Sequence, residues 1–263
     1  MQNKKPNKNN EAIIAILGLQ GVRGGVGTTS ITAALAWSLQ LLGESVLVID
    51  AGPDNMLRLS FNDEIGRQSG WARAVLDGKD WRDAGLRYTS LIDVLPFGYL
   101  QPGERQNVAA LADRLSDIAD IAKTLEQEGR YQWILLDLPH GFYPWIAPLV
   151  EACHFTLTIL KPDANCHIRL HQQPLPANTH LLINELRMSS PLQEDLYQVW
   201  LQTQRRLLPV VIHLDEAMAE SLASKQPLGE YRHDSLAAEE MITLANWCLM
   251  HYAGHRPAAE REA

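Results

Sequence analysis

The residues of this 263-residue chain that could do chemistry together are a glycine run flanked by an arginine and hydroxyls, and two aspartates that end apolar runs. The first is Arg23-Gly24-Gly25-Val26-Gly27-Thr28-Thr29-Ser30. Gly24, Gly25 and Gly27 take Cβ atoms out of the turn, so successive backbone N–H groups can converge on an anion. A hydroxyl at Thr29 or Ser30 stands where it could hold Mg²⁺. The chemistry this predicts is capture of phosphate. Aligned on Gly27 and Thr29, the stretch departs from the pattern G-x-x-x-x-G-K-[ST]: Val22 replaces the first glycine and Thr28 the lysine. The cation stands instead at Arg23. A glycine-rich turn that binds nothing is the competing reading of the loop alone.

These residues need elements to place them. The apolar run that ends at Leu19 is short and rich in isoleucine, which predicts a central strand of a parallel sheet. Thr28 to Leu42 carries Ile31, Leu35, Leu39 and Leu42 at helical spacing before Gly43, so the loop opens a helix whose N-terminus favours anions. Ser45 to Asp50 and Tyr131 to Leu138 each read as a strand that delivers a carboxylate, Asp50 or Asp137, to the sheet edge where ligands of open α/β sheets bind. Gly52 to Asn55 reads as a turn. Further strands are expected at 92–97, 154–160, 179–183 and 208–213. Helices are expected at 71–76, 107–128, from 164 through Arg169, 192–206, 215–223 and 235–252. The alternation predicts an α/β fold: a doubly wound, mostly parallel sheet with helices on both faces. One domain is expected over 12–252, with a disordered leader over 1–11 and a flexible tail over 253–263.

Composition narrows the function. With 46% hydrophobic and 21% charged residues the chain is an ordinary globular α/β protein. A net charge of −8 argues against coating nucleic acid, and three scattered cysteines (Cys153, Cys166, Cys248) suit a reducing compartment without disulfides. No run approaches the ~20 apolar residues of a membrane span, and the first apolar run lacks the cleavage pattern of a signal peptide. Trp81, Arg82, Arg87 and Tyr88 interleave rings with cations, yet Asp77, Asp80 and Asp83 dilute them to a solvated face. His167 and His171 share a helical face without a third ligand at a telling spacing.

The loop from Arg23 to Ser30, followed by Asp50 and by Asp137-Leu138-Pro139, resembles the deviant Walker A ATPases of the ParA/MinD group. Asp163 to Gln173 and Arg205-Arg206-Leu207-Leu208-Pro209 are similar to the branch of that group that serves bacterial cellulose synthesis, over residues 13 to 252. The resemblance implies ATP and Mg²⁺ as cofactors and a homodimer with the nucleotide between subunits. Gly24, Gly25, Val26, Gly27, Thr28, Thr29 and Ser30 would cradle the phosphates, and Arg23 would reach the partner's. Thr29 would ligate Mg²⁺ directly, Asp50 and Asp137 through water. Asn184 and the stretch from Pro209 to Asp215 would hold the base. The group's hydrolytic aspartate falls on Gly52, with Asp54 nearby, which implies slow or absent turnover; an actively cycling ATPase is the alternative. The implied partners are the small protein BcsR, BcsE and the membrane synthase complex. Nucleic acid and direct membrane insertion are not implied, and the implied location is the cytoplasm, at the inner face of the membrane.

Overall fold

A computed structural model of the chain describes residues 15–141 and 143–252. The expected leader over 1–11 and tail over 253–263 lie outside the described residues, as do Ile13 and Ile14. Strand β1 (Ala15–Gly21) runs through the glycine loop into α1 (Thr28–Leu41), then β2 (Val46–Asp50), α2 (Trp71–Asp77), β3 (Leu86–Arg87) and β4 (Ile92–Leu95). Short helices α3 (Pro102–Gln106) and α4 (Ala112–Leu115) lead to α5 (Asp117–Gln127), β5 (Trp133–Leu138), α6 (Ile146–Glu151) and β6 (Phe155–Leu160). The chain closes with α7 (Ala164–Gln172), β7 (Thr179–Leu186), α8 (Pro191–Thr203), β8 (Leu207–His213), α9 (Glu216–Ala223), α10 (Leu228–Tyr231) and α11 (Leu236–Tyr252).

The eight strands form one sheet in the order β3-β4-β2-β5-β1-β6-β7-β8, parallel except for the β3–β4 pair. Its two faces carry separate cores. Leu17, Leu19 and Val48 pack on one side with Leu35 of α1 and Leu244 of α11. Ile16, Leu47 and Ile49 pack on the other with Trp71 of α2 and Ile118 of α5. Apolar residues on both faces of each strand are what a sheet covered on both sides requires. Strand β1 lies at the centre between β5 and β6, and the β2–β5 ladder sets Asp50 directly opposite Asp137. In a parallel ladder, opposed residues send their side chains to the same face. The two aspartates therefore become neighbours at the carboxyl edge, beside the end of β1.

Two expectations need correction. The helix expected over 107–128 is a 3-10 turn at Val108–Leu111 followed by α4 and α5. At the junction Ser116 sends both its N–H and its Oγ to Ala112 O, at 3.0 and 2.7 Å, and Ala119 N–H turns to Ser116 O at 3.2 Å, an i→i+3 bond in place of the helical i→i+4 one. The strand expected to reach Phe97 ends at Leu95, because Pro96 has no N–H to donate. The carbonyls of Pro96 and Phe97 instead accept from Trp71 and Ala72 N–H, at 2.9 and 3.0 Å, and so seat α2. The two-residue edge strand β3 and the short helices α3, α6 and α10 had no expected counterpart.

Candidate functional site

The loop between β1 and α1 is shaped by two glycines. Gly27 has φ +88°, and a Cβ there would lie 2.5 Å from Asn184 Nδ2. That amide donates to Val26 O at 2.8 Å, so the buried Asn184 at the end of β7 pins the loop. Gly21 precedes the recognised run, and its signal is steric: a Cβ would meet Arg23 O and Val26 Cγ2 at 2.6 Å. Helix α1 starts without a side-chain cap, which leaves its first N–H groups open. The loop, Thr29 and Ser30 wall a cleft of about 380 Å³ together with Asp50 and Asp137.

The carboxylates are held from several sides. Asp50 Oδ1 accepts from Gly52 N–H at 2.9 Å and Oδ2 from Leu57 N–H at 3.1 Å, which wraps residues 52–57 around it. Thr29 Oγ1 donates to Asp137 Oδ2 at 2.8 Å. Two indoles fix the backbone behind them: Trp71 Nε1 donates to Asp50 O at 2.8 Å and Trp145 Nε1 to Ala51 O at 3.0 Å. Burial raises the Asp50 carboxyl well above the usual range, and the nearby Asp137 charge adds to the shift. Burial likewise lifts Asp137 to about 7, against the lowering hydrogen bond from Thr29. Groups of this kind favour an added cation, which would supply the charge that burial withholds.

A pH dependence follows. With both carboxyls above their unfolded values of about 4, the folded chain binds more protons than the unfolded one. This pair's contribution is therefore greatest at low pH and is lost as pH rises through about 7. In EDTA without nucleotide, Asp137→Asn is expected to gain melting temperature relative to the parent at pH 8 and less at pH 5.5. An equal shift at both values would contradict it.

Asn55 also lines the cleft. It is buried, with φ 53°, and its Oδ1 has no donor among the described residues. A buried acceptor left so costs about 1–3 kcal/mol. Sequence reasoning placed Asn55 only in a turn; no spacing marked it. His140 and Tyr143 were missed likewise and line the same wall.

Arg23 lines the cleft but folds back on its own chain, with Nη2 2.5 Å from Asp163 Oδ2 and Nη1 donating to Gly24 O at 2.8 Å. Asp163 also caps α7 by accepting from Cys166 N–H. Thr28 and Gly52 line the cleft at the positions where the resemblance has a lysine and an aspartate, and Asp54 stands beside them. An adjoining cavity of about 310 Å³ shares Gly27, Ser30 and Leu222 with the cleft and is lined by Asn184, Glu185, His213 and Asp215. Asp215 is committed to structure, accepting from Ala217 and Ala237 N–H at 3.0 and 3.1 Å. Pro209 lines neither cavity: it is exposed on the edge strand β8, four residues before that strand reaches the carboxyl edge. Away from the cleft, Arg82 pairs with Glu128 and Arg87 with Asp93, and His167 Nδ1 accepts from Trp200 Nε1.

A mostly parallel sheet with a glycine loop before α1 and aspartates at neighbouring strand ends defines a P-loop NTPase fold of the ParA/MinD type. The septum site-determining protein MinD of Pyrococcus horikoshii, solved with Mg-ADP, is similar at TM-score 0.71 and 20% identity, over 89% of this chain and 96% of that one. Cobyrinic acid a,c-diamide synthase of Mycobacterium smegmatis, solved with an ATP analogue and magnesium, is similar at TM-score 0.72 and 17% identity, over 93% and 97%. Residues 14–249 match the family described as Cellulose biosynthesis protein BcsQ. The protein of that name from Salmonella typhimurium is 67% identical over 246 residues, 94% of this chain and 98% of the relative. The chain belongs to the BcsQ family of cellulose biosynthesis proteins.

Proposed function

We propose that this chain binds ATP with Mg²⁺ in the cleft, and that two copies clamp the nucleotide between them as an assembly factor of the cellulose synthesis and secretion machinery. The observation that carries the reading is the Thr29–Asp137 hydrogen bond at the mouth of a loop whose amides are open, with Asp50 buried opposite. The donor set fits a hydrated divalent cation: a hydroxyl, two buried carboxylates short of positive charge and an orphaned carbonyl. Thr29 would ligate the cation directly, and Asp50 and Asp137 would accept from its waters. The cation's chemistry is to neutralise phosphate charge. Amides of residues 24–30 hold the phosphates, and the cavity at Asn184 and Asp215 takes the base.

Arg23 serves the neighbouring copy in this reading. Its fork suits two phosphate oxygens, and Asp163 and Gly24 hold it until a second copy arrives. Gly52 has no group to orient an attacking water, so turnover is slow or absent. The alternative, an actively cycling ATPase, takes its support from Asp54 and His140 on the same wall. BcsR, BcsE and the membrane synthase complex are the partners proposed, and recruitment to the inner face of the membrane is proposed to run through them. Among the described residues no helix is long and apolar enough to cross a membrane.

Denaturing the purified protein is expected to release an adenine nucleotide, and sizing is expected to show a dimer with ATP and Mg²⁺ and a monomer without. A monomer in both conditions with no released nucleotide would end the proposal. Steady phosphate release that Arg23→Ala abolishes would favour the cycling alternative.

A further inference from the structure

Of the buried side-chain polar atoms without a partner among the described residues, four are N–H groups, on Arg23, Trp37, Arg58 and Arg73; Asn55 Oδ1 is the acceptor. Asn55 lines the nucleotide cleft with Asp50, Asp54 and Asp137; of the other four residues Arg23 shares that lining, whereas Trp37, Arg58 and Arg73 do not. The position of Asn55 is imposed by the backbone. Asn55 N–H donates to Gly52 O at 3.0 Å, and the segment is anchored on either side by the bonds from Gly52 and Leu57 to the Asp50 carboxylate. The left-handed φ of 53° is one that asparagine and glycine adopt readily.

A lone carbonyl needs a donor. Phosphate oxygens only accept, so a triphosphate alone does not satisfy Oδ1, and the neighbouring Asp50 and Asp137 carboxylates are acceptors when ionised. Water supplies protons, and a water oriented by a divalent cation has both of them turned outward. We propose that Asn55 is a positioning residue for a cation-bound water, accepting one of its protons at Oδ1 and so fixing the hydrated cation against β2. This rests on the nucleotide and Mg²⁺ reading above. The opposite orientation of the carboxamide would place Nδ2 inward as a donor to phosphate, and the two arrangements answer differently to an aspartate.

The test is binding of a fluorescent ATP analogue to the full chain, titrated with MgCl2 and repeated in EDTA. Asn55→Gly keeps the left-handed turn and removes the carboxamide. It is expected to raise the half-saturating Mg²⁺ concentration about tenfold, with unchanged affinity in EDTA and a melting temperature in EDTA no lower than the parent's, because the orphaned acceptor goes with the side chain. Asn55→Asp keeps an acceptor and is expected to bind Mg²⁺ at least as well as the parent. The proposal is overturned if Asn55→Gly leaves the Mg²⁺ curve in place, or if Asn55→Asp weakens binding as much as Asn55→Gly does. A parent chain that binds no analogue under either condition removes the nucleotide reading itself, a distinguishable result.

Discussion

Gly70→Ala is expected to destabilise the fold by about 3 kcal/mol, a loss of roughly 6–12 °C in melting temperature for a domain of this size. Gly70 is extended, with φ 176°, so backbone strain is not the reason. Its Cβ would lie 2.1 Å from Gly98 N and 2.3 Å from Phe97 C, both main-chain atoms that cannot swing aside. The contact matters to the cleft because Gly70 precedes α2. Trp71, the next residue, donates its indole N–H to Asp50 O. Pushing α2 off the end of β4 would withdraw that indole and free the strand end that carries Asp50. Gly103→Ala is the control: nothing lies within 4 Å of the added atom, and a change within about 0.5 kcal/mol is expected. Thermal denaturation of the two variants checks both, and equal melting temperatures would contradict the steric argument.

The second large effect falls on binding. Thr29→Ala is expected to weaken Mg²⁺-dependent nucleotide binding roughly 10–100-fold, about 1.4–2.8 kcal/mol. The hydroxyl is placed to do two jobs. It donates to Asp137 Oδ2 at 2.8 Å, and its lone pairs are free for a cation. Without it, Asp137 loses a hydrogen bond that counters its burial and is pushed further toward the neutral form. Thr29→Ser keeps the hydroxyl and is expected to retain most of the binding. Calorimetric titration with ATP, with and without Mg²⁺, separates the two variants. Binding by Thr29→Ala at the parent's affinity in Mg²⁺ would remove Thr29 from the site.

Most strands were legible because each is an apolar run bounded by turn residues, and a strand buried on both faces has no other pattern to show. Helix α5 shows the limit. Its apolar spacing is sound from Ile118 to Leu125, but the same spacing continued back to residue 107 does not reveal that the ladder tightens to an i→i+3 bond between Ser116 and Ala119. Pro209 shows another. Its place in the sequence suggested a role at the base, whereas the register of β8 leaves it short of the carboxyl edge. Asn55 gave no signal at all beyond turn composition.

What the sequence determined by itself is local chemistry: a loop that exposes amides, a helix opened by Thr28, and strands that end in Asp50 and Asp137. Those features depend on neighbours a few residues away, where backbone sterics and burial periodicity act directly. The tertiary structure decided the pairings. It set Asp50 opposite Asp137 through strand order, tied Arg23 to Asp163 across 140 residues and Val26 to Asn184 across 158. Such contacts arise where chain segments remote in sequence are brought together by a shared core, and no spacing along the chain records which carboxylate will meet which cation.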